Sequence, residues 1–126
     1  MLFINLNGQI IQENQPVFGV ENRAFRYGDA LFETIRVVDG FPCFFDEHLA
    51  RLQGGMNFLQ MNFSKEVNFD ILKAEAEKLI NANSINEGGR IRITIFRNSG
   101  GFYTPDTNEV SFIIEATPVT QNQFEL

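Results

Sequence analysis

The sequence has almost no cysteine or histidine, which excludes several kinds of site. Cys43 is the only cysteine and His48 the only histidine among 126 residues. One cysteine cannot build a disulfide framework, and this usage fits a cytoplasmic protein. The sequence offers no cluster of histidine and cysteine ligands for a metal, and no spacing that suggests a Ser-His-Asp triad. We therefore expect no metal site.

Positive charge is also scarce. Lys and Arg number 10 against 16 Asp and Glu, giving a net charge of −6 and a pI of about 4.7. Nucleic acids and anionic membranes require clustered basic residues, so we expect neither as a partner. No segment approaches the ~20 apolar residues of a membrane span, and the start "MLFINLNG" has no features of a signal peptide. An anionic small ligand still fits, because a local pocket can be positive on an acidic protein.

The composition that remains is that of a single globular domain. Hydrophobic residues make up 44% of the chain, which contains 14 Phe and no Trp. A chain of this length can bury roughly two-thirds of its unfolded surface. Phe needs no hydrogen-bond partner, so we expect most of these rings in the core.

Two dipeptides predict tight turns between strands. Asn7-Gly8 interrupts "FINLNGQII", and Asp39-Gly40 follows the strand-like "LFETIRVV" (31–38). Both central positions of a type I′ turn need positive φ, which Asn, Asp and Gly tolerate best. We expect two β-hairpins, the second returning through "FPCFF" (41–45). Residues 14–24 are polar and predict an irregular segment.

Apolar residues at three- to four-residue spacing predict two helices. The first has Asp46 as N-cap and Glu47 in its first turn, and Gly54-Gly55 predicts a kink or an early end. The second has Asn68 as N-cap and ends over residues 81–84. The buried stripes are Leu49, Leu52, Met56 and Leu59 in the first helix, and Phe69, Leu72, Ala76, Leu79 and Ile80 in the second.

Two further strands complete the expected fold. "RIRITIFR" (90–97) alternates, with isoleucines on one face and Arg92, Thr94 and Phe96 on the other. "EVSFIIEAT" (109–117) is the last strand, and Pro118 is expected to end it. This order predicts an α+β domain with a mostly antiparallel sheet of about five to six strands and two helices on one side.

Three side chains are candidates for a binding site, and each also has a purely structural explanation. Arg51 follows His48 by three residues on one side of the first helix, as a solvated helix start would also have. Alternatively, Arg51 binds a phosphate through charge-assisted hydrogen bonds. Arg92 fits an exposed sheet face as well as a binding site. Tyr27 is either a core aromatic or a site residue. Taken alone, these residues leave the alternatives open.

Taken together, the motifs resemble a known family. "RYGDALFETIRVVDG" followed by "FDEHLARL" is similar to the N-terminal half of the fold-type IV pyridoxal-phosphate (PLP) enzymes, the class IV aminotransferases. These include branched-chain aminotransferases, D-amino-acid aminotransferases and 4-amino-4-deoxychorismate lyases. The resemblance covers essentially the whole chain, from "FINLNGQII" to the strand after "RIRITIFRNSGG". "RNSGGFY" is closer to the lyase version than to the branched-chain version.

The resemblance implies roles for four residues. Arg51 matches the arginine that binds the cofactor phosphate, and Arg92 matches an arginine near the substrate carboxylate. Tyr27 and Phe32 would face the substrate, an amino acid or aminodeoxychorismate. The loop at 98–104 would approach the active site, often that of the neighbouring subunit.

The lysines depart from the family pattern. The family uses a lysine from a second domain to form a Schiff base with the cofactor. The only lysines here are Lys65, Lys73 and Lys78, and none matches. We therefore expect residues 1–117 to form the small N-terminal domain and 118–126 to begin an interdomain linker or tail, with the catalytic-lysine domain absent and no catalytic residue in this chain.

Three interpretations follow. The chain is the N-terminal part of a PLP-dependent aminotransferase or aminodeoxychorismate lyase, inactive alone; or a lysine-less standalone protein that binds a phosphorylated molecule or a partner surface; or a module that only dimerises. We expect a homodimer or higher oligomer, because a chain without the second domain would leave an apolar face of the strands at 31–38, 91–96 and 110–116 bare, with Phe32, Phe96 and Ile113 on it. A monomer would favour the self-sufficient domain.

Overall fold

The structure is a computed structural model that describes residues 2–101 and 104–119. It contains six strands and three helices in that part of the chain. In order these are β1 (Phe3–Leu6), β2 (Gln9–Gln12), α1 (Arg23–Tyr27), β3 (Ala30–Val38), β4 (Phe41–Pro42), α2 (Phe45–Phe58), α3 (Phe69–Ala82), β5 (Gly89–Arg97) and β6 (Val110–Pro118).

All six strands form one antiparallel sheet in the order β2-β1-β6-β5-β3-β4. Helices α2 and α3 cover one face, where their apolar stripes pack against Ile35 and Val37 of β3 and the isoleucines of β5. The expected α+β class is therefore confirmed. The other face carries the even-numbered residues of β3 and β5, and we call it the open face because neither long helix covers it.

Local sequence signals account for most of these elements. Asn7 and Gly8 both have positive φ, at 52° and 95°, and turn β1 into β2 as expected. Asp39-Gly40 does the same between β3 and β4. The Asn68 side chain accepts a hydrogen bond of 2.9 Å from the N–H of Ile71, which confirms the predicted cap of α3.

The second hairpin is shorter than its sequence predicts. Its return strand is only Phe41–Pro42, and α2 begins at Phe45 rather than after Asp46. Phe44 occupies the N-cap position with φ 54° and no side-chain hydrogen bond, while Asp46 lies in the first turn. The reason is burial: the left-handed turn at Phe44 directs Phe45 into the core, where it is 5% exposed.

The expectation of an irregular segment over residues 14–24 is wrong at its end. The segment 14–24 ends in the short helix α1, capped by Asn22, whose side chain accepts from the N–H of Phe25 at 3.1 Å. The sequence of α1 lacks the apolar periodicity that predicts the two longer helices. The last strand ends at Pro118 as expected, with Pro118 itself paired opposite Gly89.

The paired glycines do not interrupt α2, which continues to Phe58. A Cβ added to Gly55 would lie 2.9 Å from Cδ1 of Leu31 on β3, whereas one added to Gly54 would meet nothing within 4 Å. Gly55 therefore allows the close approach of α2 to β3. No helix within the described residues is long and apolar enough to cross a membrane.

Candidate functional site

The open face brings together arginines and an exposed ring from β3 and β5. In the register of these strands, Thr34 lies opposite Arg92 and Arg36 lies opposite Arg90. Because side chains alternate between the two faces of a strand, Phe32 projects on the same side. The guanidinium of Arg92 stacks on the Phe32 ring at 4.1 Å from its centroid. The predicted substrate residues Phe32 and Arg92 are therefore in contact.

A polar cavity of about 310 Å³ lies beside this pair. Its lining combines Arg90 and Arg92 with Thr34, Glu115 and Thr117. Glu115 is the Cα partner of Arg92 on β6 and is the only acidic residue in that lining. The two guanidinium groups exceed this single carboxylate in charge, so the cavity suits an anionic group.

An apolar cavity of about 430 Å³ adjoins it and shares Glu115 and Thr117. The segment before α1 crosses the sheet here, and Phe18 meets Phe96 edge-to-face at 5.0 Å between ring centroids. Phe96 is 6% and Ile113 is 9% exposed as a result. The expectation of a bare apolar face is therefore wrong for this half of the sheet, whereas Phe32 does remain exposed.

Arg51 reaches the same strand from the helix-covered side. Its Nε lies 3.2 Å from Oε1 of Glu33, and Nδ1 of His48 lies 2.7 Å from the same oxygen. The Glu33 side chain is only 14% exposed, while that of Arg51 is 69% exposed. Arg51 thus pairs with Glu33 through Nε and is otherwise largely accessible. The sequence motifs include Glu33 but assign it no role.

The edge of β3 separates Arg51 from the open face. β4 pairs only with Val37 and Val38, and β5 borders the other side of β3. Within the described residues, no strand therefore pairs along the outer side of Ala30–Ile35. At this unpaired edge, only the thickness of one strand separates Glu33, which contacts Arg51, from Phe32 and Thr34 on the open face.

Tyr27 lies at the end of α1 and lines a cavity that shares no lining residue with the one beside Arg92. Its ring contacts the guanidinium of Arg23 at 4.6 Å, beside a cavity that Arg97 also lines. Asp29 pairs with Arg23 at 2.9 Å and with Arg97 at 3.3 Å. Both arginines are buried, so this cluster fixes the start of β3.

The predicted loop at 98–104 begins beside this cluster, where Arg23 donates a hydrogen bond of 3.0 Å to the Gly100 carbonyl. Residues 102 and 103 of the loop lie outside the described part of the chain.

The three lysines lie on α3 or in the segment before it. Lys78 pairs with Glu75 at 2.7 Å and donates to the Gly8 carbonyl at 2.9 Å. Lys73 lines a groove between α2 and α3, and Lys65 precedes α3. Within the described residues, no group of three or more His, Cys, Asp or Glu side chains could hold a metal ion.

The antiparallel sheet, the two covering helices and an arginine-rich face define an α+β domain suited to an anionic small ligand. The family model for Amino-transferase class IV matches residues 30–125. The chain belongs to the class IV aminotransferase family. Enzymes of this family depend on PLP.

Individual relatives agree with this assignment. Aminodeoxychorismate lyase of Bacillus subtilis (strain 168) is 33% identical over 95 residues, covering 73% of this chain and 31% of that protein. D-alanine aminotransferase of Bacillus licheniformis is 28% identical over 85 residues, covering 66% of this chain and 29% of that protein. The crystal structure of the branched-chain amino acid aminotransferase of Escherichia coli has a TM-score of 0.83 at 26% identity, covering 94% of this chain and 40% of the other. The chain thus spans less than half of each relative.

Proposed function

We propose that this chain supplies the phosphate-binding and substrate-binding residues of a PLP-dependent aminotransferase or aminodeoxychorismate lyase. The observation that carries the proposal is the placement of Arg51 at the unpaired edge of β3, with Phe32 and Arg92 on the adjoining open face. A phosphate held by Arg51 would leave the rest of a ligand beside that face. When bound, PLP supplies an electron sink for the bonds to the carbon that bears the substrate amine.

The residues of this chain fit part of the cofactor. Arg51 offers an accessible guanidinium, the group that matches a phosphate best. Arg92 and Arg90 suit the carboxylate of an amino-acid substrate, and the Phe32 ring offers an apolar surface beside it. Tyr27 is proposed as a further substrate contact, beside the arginines of its own cavity.

The same residues do not supply the covalent attachment. Lys78 is engaged with Glu75 and Gly8, Lys73 lines the groove between α2 and α3, and Lys65 precedes α3. We therefore propose that the chain by itself is inactive and binds PLP without a covalent bond. This lysine placement also favours the second candidate function, a standalone domain that binds a phosphorylated molecule.

Lyase activity on aminodeoxychorismate is the preferred version of the enzyme proposal. The relative with 33% identity is an aminodeoxychorismate lyase, and the cavity next to Phe32 has more positive than negative groups. A substrate with two carboxylates would use both Arg90 and Arg92, whereas alanine has one.

Isothermal titration calorimetry, with PLP titrated into the chain, tests the phosphate site. Arg51→Ala should weaken binding by about 1.5–3 kcal/mol, the scale of a hydrogen bond to a charged group. Lys65→Ala is the matched control, because it removes the same charge from an exposed side chain that lies in no proposed binding site. Equal affinity of the wild type and Arg51→Ala would remove Arg51 from the site.

Reduction with borohydride after mixing with PLP tests the covalent chemistry. We expect no single lysine to carry the label, and at most weak labelling shared by all three lysines. Stoichiometric labelling of one lysine would contradict the proposal. Peptide mass mapping distinguishes these results.

We also propose that the chain forms homodimers and resides in the cytoplasm. Phe18 and Phe32 remain exposed on the open face, and exposed apolar patches usually become interfaces. Light scattering at micromolar concentration measures the mass, and a monomer would contradict the dimer.

A further inference from the structure

Glu33 is a mostly buried carboxylate whose charge is shared between two side chains of α2. Its Oε1 lies 2.7 Å from Nδ1 of His48 and 3.2 Å from Nε of Arg51. His48 is itself only 19% exposed, whereas Arg51 is mostly exposed. The carboxylate is therefore held from the inner side by His48 and in turn holds the arginine on the outer side.

The sequence of α2 presents these groups to β3 from a single face. His48, Arg51 and Gly55 are spaced by three and four residues, so they lie along one side of the helix. Gly55 brings that side against Leu31, two residues before Glu33 on β3. The packing of α2 on β3 thus brings Arg51 beside Glu33, while the Arg51 side chain itself remains mostly exposed.

The contact also determines which part of Arg51 is left for a ligand. Its contact with Glu33 is through Nε, so this ion pair does not occupy the two terminal nitrogens. A guanidinium that is anchored at Nε still presents its two terminal nitrogens as a fork. Such a fork matches two oxygens of a phosphate.

We infer that Glu33 is a positioning residue, whose carboxylate anchors Arg51 at the unpaired edge of β3 so that its terminal nitrogens can bind a phosphate. The inference rests on the proposed function, because it assigns to Arg51 the phosphate of PLP. It adds a residue of the opposite charge to that site. His48 supports Glu33 by fixing the orientation of the shared oxygen.

The charge of Glu33 makes the inference sharply testable. A negative charge this close to a phosphate site repels the ligand, so Coulomb's law alone predicts tighter binding when Glu33 is neutralised. Positioning predicts the opposite, because Arg51 then loses its anchor and must be ordered by the ligand. The two explanations therefore differ in the sign of the effect.

The experiment measures binding of PLP and of inorganic phosphate to the wild-type chain and to Glu33→Gln, Glu33→Asp and Glu47→Gln. Glu33→Gln should bind both ligands roughly tenfold more weakly. A decrease in affinity of this size is typical when a residue that orients a metal-binding side chain through a hydrogen bond is removed. Glu33→Asp keeps the charge but shortens the reach, and should also bind more weakly. Glu47→Gln removes the same charge from an exposed position on the same helix, and should bind as tightly as the wild type or slightly more tightly.

A second measurement follows the Arg51 side chain without any ligand. The ¹⁵N relaxation of Nε should show a restricted Arg51 in the wild type and a mobile one in Glu33→Gln. Arg90 is the internal reference, since it is an exposed arginine of the same chain with its own resonance. Unchanged mobility of Arg51 in Glu33→Gln would overturn the positioning role, as would unchanged or tighter phosphate binding by that variant.

Failure of the proposed function has a different signature. If Arg51→Ala binds PLP and phosphate as the wild type does, or if the wild type binds neither, Arg51 is not the phosphate residue. If Arg51→Ala weakens binding but Glu33→Gln does not, Arg51 binds the phosphate and Glu33 does not position it. Circular dichroism of each variant confirms that the fold is retained in these comparisons.

Discussion

The guanidinium of Arg92 and the ring of Phe32 meet diagonally across two strands, because the Cα partner of Arg92 is Thr34 and that of Phe32 is Thr94. A cation–π contact at an exposed site contributes about 0.5–1 kcal/mol. A double-mutant cycle with Phe32→Leu and Arg92→Gln should give a coupling free energy of that size, measured by urea denaturation. Strictly additive variants would mean that the two side chains do not interact in solution.

The adjacent glycines of α2 should respond differently to the same substitution. Gly54→Ala should increase the free energy of unfolding by up to about 1 kcal/mol, because alanine is the better helix former and its Cβ meets no atom. Gly55→Ala should give a clearly smaller gain or a loss, because its Cβ displaces Leu31. Each is the control for the other in urea denaturation. Equal gains would show that α2 does not need its close approach to β3.

Phe44 combines an unfavourable backbone conformation with little burial. The backbone of Phe44 has a φ of 54°, and the residue is 75% exposed. Left-handed conformation costs a residue with a side chain about 1–2 kcal/mol, and glycine avoids that cost. Phe44→Gly should therefore raise the midpoint of thermal unfolding. Phe41→Gly, at a similarly exposed ring without positive φ, should lower it; a loss of stability in both variants would show that the Phe44 ring itself contributes.

The folded state should lose stability in acid partly through Glu75. Burial raises the pKa of its carboxyl, but hydrogen bonds from Lys78 and Asn5 and the charge of Lys78 outweigh burial, so the pKa lies below its ordinary value of 4.5. A carboxyl with a lowered pKa stabilises the fold above its unfolded pKa, and that contribution disappears as the pH falls through the folded value.

Urea denaturation of the wild type and Glu75→Gln at several pH values isolates this contribution. The difference in the free energy of unfolding between the two proteins should be constant near neutral pH. It should shrink below a pH of about 4.5, which is the ordinary pKa of the Glu75 carboxyl. A difference that grows in acid would reverse the assigned direction of the shift.

Much of the fold could be predicted from short-range signals. An Asn-Gly pair such as Asn7-Gly8 readily adopts the positive φ of a tight turn between two strands. The apolar stripe that includes Leu72 and Leu79 predicts a helix regardless of what packs against it. Helix α1 could not be predicted in this way, because its five residues do not form an apolar stripe. The start of α2 at Phe45 depends on whether the core has room for that ring, which is a property of the assembled sheet.

The site was only partly predictable for the same reason. The resemblance marks Phe32, Arg51 and Arg92 as site residues, but their geometry depends on the register between β3 and β5. The link from Arg51 to Glu33 joins a helix to a strand across 18 positions, and no local pattern encodes it. Phe18 covers Phe96 because of the path that the irregular segment before α1 takes across the sheet, and no local pattern encodes that path either.

The position of β1 in the sheet has a consequence for synthesis of the chain. β1 pairs with β6, and the Asn7 side chain accepts from the N–H of Phe112, 105 positions later. At roughly 5–20 residues per second, the first hairpin waits on the order of 5–20 seconds for that strand to leave the ribosome. During this interval its apolar residues have no partner on that side, so the N-terminal hairpin is the part of the nascent domain that a chaperone would meet first.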